Sequence, residues 1–354
     1  MFQDITLKEL LERQHSENHT IIDVRSPQEY NETTIPGSIN IPVFSNDERA
    51  EVGTLYKQVG KEAAKARGLE IMSAKLPDFI AKFREIDTPK TVFCWRGGMR
   101  SKTAATLVDL MGLDVNRLQG GVRAYRQWIV SELETADFPP DIIVLNGNTG
   151  TGKTKLLHQL AENGYPIIDL EGMAGHRGSI FGHIGLEPTI QKEFESQLVQ
   201  AMHMFHDAPF VLMEGESKRI GKVTMPEFLF KKKEQSMQLF IDLPVEQRIL
   251  NILDDYQPWN HPDQFVEAFE RIQKRIHTPV AKQIHEDLKE ENYKQAIHLL
   301  LDYYYDPRYE HMAGKYPPDK TKTINAADMK DAAERIEDVL SDMYPQRTKS
   351  LKDA

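Results

Sequence analysis

A single cysteine in 354 residues excludes an internal disulfide and any cysteine-based zinc site. That economy suits a reducing compartment, so a cytoplasmic location is expected. Long apolar runs are missing as well. None approaches the ~20 residues that span a bilayer, so no membrane partner is expected. The stretch Met1–Gln14 has no basic segment leading into an apolar one, and no export signal is expected. Internal repeats and low-complexity segments are absent. Positive charge is in deficit, with 44 Lys and Arg against 54 Asp and Glu and a net charge of -10. Such a balance argues against a general nucleic-acid coat. It leaves room for a local basic face, because phosphate contacts depend on local charge. What remains is ordinary globular composition, 40% apolar and 28% charged. The length suits two domains of roughly 150 residues each.

The order of motifs predicts an α/β protein in two parts. In residues 1–135, Thr20–Ser26 and Thr91–Trp95 read as buried parallel strands. Ser101–Gly112 reads as a helix, and Val115–Val130 as a short strand, a double-glycine turn and a helix. The acidic, Pro-Pro-ending stretch Ser131–Asp141 marks the boundary. In residues 136–345, Ile142–Gly164 reads as strand, glycine loop and helix. Tyr165–Gly172, Pro209–Ser217 and Met237–Leu243 read as further strands, and the chain beyond Pro244 reads as helical. Asn292–Gly314 reads as a helix followed by an aromatic-rich loop, and residues 346–354 as a tail.

The lone cysteine, Cys94, ends an apolar strand and precedes a helix, where ligands bind in open parallel sheets. The residues that follow, Trp95, Arg96, Gly97, Gly98, Met99 and Arg100, form a glycine-rich basic loop. Glycine permits the positive φ values that turn successive N–H groups toward one point. Such a nest beside a helix N-terminus binds an anion and favours a thiolate. Arg96 and Arg100 add charge, and Ser101 is placed to cap the helix. Arg100 stands six positions after Cys94, the spacing of phosphatase loops. Loop chemistry alone therefore leaves chalcogen transfer and phosphoryl transfer both open.

The segment "IIDVRSPQEY…IPGSINIP" (Ile21–Pro42), with "CWRGGMRS" and "LQGGVRAYR", resembles a rhodanese domain. The resemblance implies an open parallel sheet framed by the Asp-Val-Arg strand, with the cysteine carrying sulfur or selenium. The loop is one residue longer than the commonest rhodanese pattern, which suits a phosphate-sized anion.

"GNTGTGKT", Gly147–Thr154, fits G-x-x-x-x-G-K-S/T in full, after a strand and at the start of a helix. Gly147, Gly150 and Gly152 let the backbone wrap a phosphate. Lys153 reaches its oxygens, and Thr154 is placed to hold Mg²⁺. Glu214 and Glu216 close the partner strand in place of the usual aspartate. Asp169 and Glu171 open the glycine-rich segment Asp169–Gly182, which is poor in apolar residues and reads as a functional loop. All four carboxylates are candidate Mg²⁺ or diphosphate contacts, and no resident metal set is assigned. His176, Arg177, Lys218 and Arg219 are candidate phosphate or RNA contacts. With Lys222, Lys231–Lys233, Arg96, Arg100 and Arg123 they are expected to form a basic cleft between the domains. Tyr303, Tyr304, Tyr305 and Tyr309 offer rings for base stacking.

The whole series, with "VGTLYKQVG" (Val52–Gly60), "DLEGMAGHRGSIFG", "FVLMEGESKRIG" and "YYYDPRY" in order, resembles the tRNA 2-selenouridine synthase family. The resemblance implies an α/β rhodanese-like domain followed by a P-loop NTPase-like domain with a helical C-terminal region. It implies action on tRNA carrying 2-thiouridine at the wobble position. The sulfur is first alkylated by geranyl diphosphate, and the S-geranyl group is then exchanged for selenium from selenophosphate. Cys94 would be nucleophile or selenium carrier, and Arg96 and Arg100 would hold the selenophosphate. Mg²⁺ at the P-loop, no organic prosthetic group and a monomer are expected. The rival readings are an ATP-dependent sulfurtransferase or kinase fused to a rhodanese, a phosphatase, and a non-catalytic RNA-binding module.

Overall fold

The computed structural model describes residues 1–16, 18–135, 137–308 and 316–345. Tyr309 and the tail 346–354 lie outside the described residues. The chain divides into two compact units, Met1–Thr135 and Ala136–Ala354.

In the first unit five strands form one parallel sheet: β1 (Gln3–Ile5), β2 (Thr20–Asp23), β3 (Ile39–Asn40), β4 (Lys90–Phe93) and β5 (Asn116–Leu118), in the order β1-β5-β4-β2-β3. All four residues of β4 are buried. Its apolar half, Val92 and Phe93, runs on into Cys94 and Trp95, and that run made the strand visible in the sequence even though Lys90 and Thr91 are polar. Both central strands end earlier than expected. β2 stops at Asp23 because its carboxylate turns back to take Arg25: the Arg25 N–H donates at 2.9 Å, Nε at 3.0 Å and a terminal nitrogen at 2.6 Å. Thr34 adds a further hydrogen bond, from Oγ1 at 2.9 Å. β4 stops at Phe93, so Cys94 is the first residue beyond it. A helical hairpin, Asn46–Gln58 and Lys61–Arg84, separates β3 from β4 and carries the "VGTLYKQVG" motif. Ser45 and Glu48 start it with a reciprocal capping box.

The second unit also has a parallel sheet: β6 (Asp141–Gly147), β7 (Ile167–Ile168), β8 (Phe210–Glu214), β11 (Met237–Asp242) and β12 (Thr321–Asn325), in the order β12-β11-β6-β8-β7. A small antiparallel pair, β9 (Arg219–Ile220) and β10 (Val223–Thr224), follows β8. β12 corrects the all-helical reading beyond Pro244. It is an edge strand with one buried residue, Ile324, so its apolar pattern is too weak to read. The segment after β7 is also corrected. Leu170–Ala174 is a short helix, and Phe181 and Ile184 further on are buried. They pack into a helical core with Ile249, Phe265, Phe269, Ile284 and Leu301. The aromatic run is helical rather than a loop: a π-helical turn, Leu301–Tyr305, extends the helix Tyr293–Leu300. Tyr304 is buried in the same core while Tyr303 is exposed. The fold is α/β, with a rhodanese-like unit followed by a P-loop unit that has a helical C-terminal region. Among the described residues, no helix is long and apolar enough to cross a membrane.

Candidate functional site

In the first unit, Cys94 sits beneath its loop, 3% exposed, with Sγ 3.2 Å from Ser101 Oγ. The helix begins at Met99, with Gly98 as its N-cap residue and no side-chain cap. Ser101 therefore does not cap the helix as expected. It lies in the first turn, where its hydroxyl donates to the Gly98 carbonyl at 3.3 Å and meets the thiol. Gly97 has φ +65°, as a nest requires. The double glycine of "LQGG" is the loop's packing partner. Gly121 has φ +57°, and a Cβ there would lie 1.9 Å from the Cys94 carbonyl oxygen. Val122 and Arg123 N–H groups donate to the Cys94 and Trp95 carbonyls, each at 3.0 Å. Two backbones this close leave no room for a side chain. Arg117, unremarked in the sequence, steadies the same loop. It forms a bidentate pair with Asp4, at 2.7 and 2.6 Å, and donates to the Gly97 carbonyl at 3.3 Å.

Arg100 has a partner within the protein. Its guanidinium pairs with both carboxylate oxygens of Glu29, one at 3.0 Å. Burial pushes the Glu29 carboxyl up, but the hydrogen bond and charge of Arg100 outweigh it, and the pKa falls to about 2. Arg100 is therefore committed to Glu29, whereas Arg96 and Trp95 stand exposed at the loop.

In the second unit the loop Gly147–Thr154 leaves β6 and enters the helix Lys153–Glu162. Gly150 and Gly152 have φ of +85° and +68°. A Cβ at Gly150 would lie 2.7 Å from the Arg248 carbonyl oxygen. Lys153 Nζ donates across the loop to the Gly147 carbonyl at 3.2 Å. Thr154 Oγ1 donates to Glu171 at 2.7 Å, and Glu216 lines the same cavity close enough for its charge to act on the Glu171 carboxyl. These groups line a cavity of about 660 Å³, with Asp169, Arg177 and Arg308 on its walls.

The four candidate carboxylates divide. Glu171 and Glu216 face the cavity together. Asp169 also lines it, while capping Leu170–Ala174 through the Gly172 N–H at 2.7 Å and lying 2.7 Å from His158 Nε2. Glu214 does not line the cavity. It is fully buried, accepts the Leu170 N–H at 2.9 Å on one oxygen, and leaves the other without a hydrogen-bond partner. Burial, then the charges of Asp169 and Glu171, push its pKa well up.

Burial and the neighbouring Glu216 charge also raise Glu171, to about 8, against the opposing pull of Lys153 and Thr154. The sign of the consequence is fixed. The folded state keeps a proton that the unfolded chain loses above about 4.5, so this group's contribution to stability declines as pH rises from there to about 8. Glu171→Gln removes that decline. In metal-free protein its melting temperature, relative to the parent, is expected to climb between pH 5 and pH 8. A pH-independent difference in thermal scans would contradict the assignment.

The expected basic residues are mostly occupied. His176 is half-buried and accepts the Gly178 N–H through Nδ1 at 3.1 Å. Its ring closes on Gly221, so it secures the loop instead of facing solvent. Arg177 donates to the Ile184 carbonyl at 2.8 Å and lies 4.8 Å over the Tyr256 ring, on the cavity wall. Lys218 and Lys231 both pair with Glu227. Lys232 donates to the Phe138 carbonyl, and Lys233 is buried beside Glu234 at 2.9 Å. Arg219 and Lys222 keep exposed side chains.

Sequence reasoning missed the residues that hold the phosphate loop from behind. Arg248, 3% exposed, donates through Nε to the Thr149 carbonyl at 2.9 Å. Both terminal nitrogens reach Asp306, at 2.9 and 2.6 Å. Asn251 donates to the Gly150 carbonyl at 2.9 Å. The available signal was an arginine beside Ile249 and Ile252 on the apolar stripe of the helix Val245–Tyr256.

A rhodanese-like unit with a recessed cysteine beneath a glycine loop, joined to a unit with a complete phosphate cradle, defines a two-part transferase architecture. The family model described as "tRNA 2-selenouridine synthase AAA domain" matches residues 140–342, and the rhodanese-like domain model matches residues 6–127. Three relatives are each named tRNA 2-selenouridine synthase. That of Nitrosomonas eutropha is 31% identical over 343 residues, covering 82% of this chain and 87% of the relative. Those of Bdellovibrio bacteriovorus and Sulfurovum sp. are 32% and 34% identical, each covering 83% of this chain and 88% of the relative. The chain belongs to the tRNA 2-selenouridine synthase family, and it is an enzyme.

Proposed function

We propose that the protein converts 2-thiouridine at the wobble position of tRNA to 2-selenouridine in two steps, through S-geranyl-2-thiouridine. In the first, the sulfur of the base attacks C1 of geranyl diphosphate, the C1–O bond breaks, and diphosphate leaves. In the second, geranyl thiolate is displaced from C2 and leaves as the thiol, and selenium takes its place as water cleaves the Se–P bond of selenophosphate and releases phosphate. One observation carries the reading. A single chain of this family holds a phosphate cradle with a paired carboxyl wall and, in its other unit, a cysteine beneath an anion-binding loop.

The residues divide between the steps. N–H groups of Gly147–Thr154 and the Lys153 ammonium receive charge that develops on the leaving diphosphate. Thr154, Glu171 and Glu216 fit Mg²⁺ in chemistry, since all offer hard oxygen donors. Among the described residues no cluster of three or more His, Cys, Asp or Glu could hold a metal by itself, so oxygens of the diphosphate would complete the set. Bound there, the ion would neutralise charge on the phosphate oxygens. In the other unit, Cys94 acts as the nucleophile, its thiolate displacing the geranyl thiolate at C2 and leaving in turn as selenium adds, and Arg96, with the Gly97–Gly98 backbone, holds the selenophosphate. Arg219 and Lys222 offer exposed charge to the tRNA backbone.

Mass spectrometry of nucleosides tests the reading, after thiolated tRNA is incubated with the protein, Mg²⁺ and geranyl diphosphate. An S-geranyl nucleoside is the expected product. Unchanged 2-thiouridine, with nucleotide turnover instead, would favour the ATP-dependent sulfurtransferase.

A further inference from the structure

The phosphate cavity has a wall that the P-loop motif does not explain. The π-helical turn Leu301–Tyr305 and the residues that continue it deliver three side chains to one place. Such single turns re-aim the residues that follow and often mark functional sites. Asp306 takes both terminal nitrogens of Arg248 and lies 3.3 Å from the donating amide of Asn148. Arg248 in turn holds the Thr149 carbonyl. The turn and the loop are thereby locked to one another through an ion pair whose arginine is buried and whose carboxylate is partly exposed. Burying such a pair costs several kcal/mol of desolvation, so stability alone is a weak reason to keep it. A fixed register between two working parts is a better one.

Two residues on stands Arg308. Its guanidinium lies 3.6 Å over the Tyr304 ring, donates to the Tyr304 carbonyl, and lines the same cavity as Lys153 and Thr154. Among the described residues Arg308 forms no ion pair. The cavity's other cations are engaged: Lys153 with the loop, Lys155 with Asp254 and Asp255, and Arg177 with Ile184. Arg308 is therefore a stacked, pre-aimed cation opposite the cradle.

We propose that Arg308 is a catalytic residue of the phosphate site, receiving charge as the phosphate end of the ligand departs, and that Asp306 and Arg248 are positioning residues that set its register against the loop. This rests on the diphosphate-leaving reading above. Such a contact strengthens only as charge builds, so it acts on kcat more than on ground-state binding.

The test uses the full chain with thiolated tRNA, geranyl diphosphate and Mg²⁺. Arg308→Ala should lower kcat roughly 100-fold or more. Inorganic pyrophosphate should bind within about fivefold of the parent by calorimetry. Added guanidinium should restore part of kcat in Arg308→Ala, and none in Asp306→Asn, where the arginine is present but misplaced. A kcat within about threefold of the parent, or a loss that guanidinium does not touch, overturns the role. Should the parent make no S-geranyl product but hydrolyse a nucleoside triphosphate, the substrate reading fails by itself. A guanidinium-rescued loss of that hydrolysis in Arg308→Ala would then still establish the arginine, and an unaffected rate would overturn it.

Discussion

Cys94→Ala is expected to stop selenation, by a factor of about 1,000 or more, while geranylation stays within about threefold of the parent. The reason lies in where the thiol sits. Cys94 follows β4 at the carboxyl edge of the first sheet, 3.2 Å from Ser101 Oγ and at the foot of the glycine loop, where Gly97 takes φ +65°. No residue of the phosphate cradle belongs to that unit. A nucleophile or selenium carrier is needed only once the base has been alkylated, so its loss should leave the first product to accumulate. Because Cys94 packs among Val24, Val92 and Ala104, the alanine also removes some core contact. Cys94→Ser, which keeps the volume, is the control for that. Nucleoside analysis in which both variants make 2-selenouridine at the parent rate would remove Cys94 from the reaction.

Lys153→Ala produces the opposite phenotype. Geranylation should fall roughly 100- to 1,000-fold, as when one preorganised charge on a developing anion is lost. Conversion of tRNA that already carries S-geranyl-2-thiouridine should survive. Lys153 spans the loop to Gly147 and lies beside Thr154 and the Glu171–Glu216 pair. Loss of both half-reactions in Lys153→Ala, in protein that still unfolds cooperatively, would mean one shared site instead of two.

The parts of this account that were legible in the sequence share a physical origin. β6 is buried on both faces and appears as the apolar run Ile142–Leu145, and the end of β4 shows through Val92 and Phe93, which lead into Cys94 and Trp95. The glycines of the two loops stand out because positive φ and close backbone approach leave no alternative, as the 1.9 Å between a Cβ at Gly121 and the Cys94 carbonyl oxygen illustrates. What escaped depends on contacts distant in the chain. Nothing local says that Arg100 turns to Glu29, 71 residues away, or that Lys232 spends its charge on the Phe138 carbonyl. Glu214 and Glu216 look alike two positions apart, yet the first ends β8, which is buried along its whole length, and the chain beyond the strand brings the second to the cavity. Asp306 was hidden for a related reason. A π-helical turn shifts the helical phase by one residue, so the aromatic run lost its periodicity and read as a loop.

The most direct measurement supplies purified tRNA bearing S-geranyl-2-thiouridine, with selenophosphate and the protein but no geranyl diphosphate, and follows the nucleosides by mass spectrometry. Formation of 2-selenouridine, undiminished in Lys153→Ala and absent in Cys94→Ala, is the predicted result. An S-geranyl nucleoside that persists with the parent protein, or that yields only to added ATP, would contradict the two-step account.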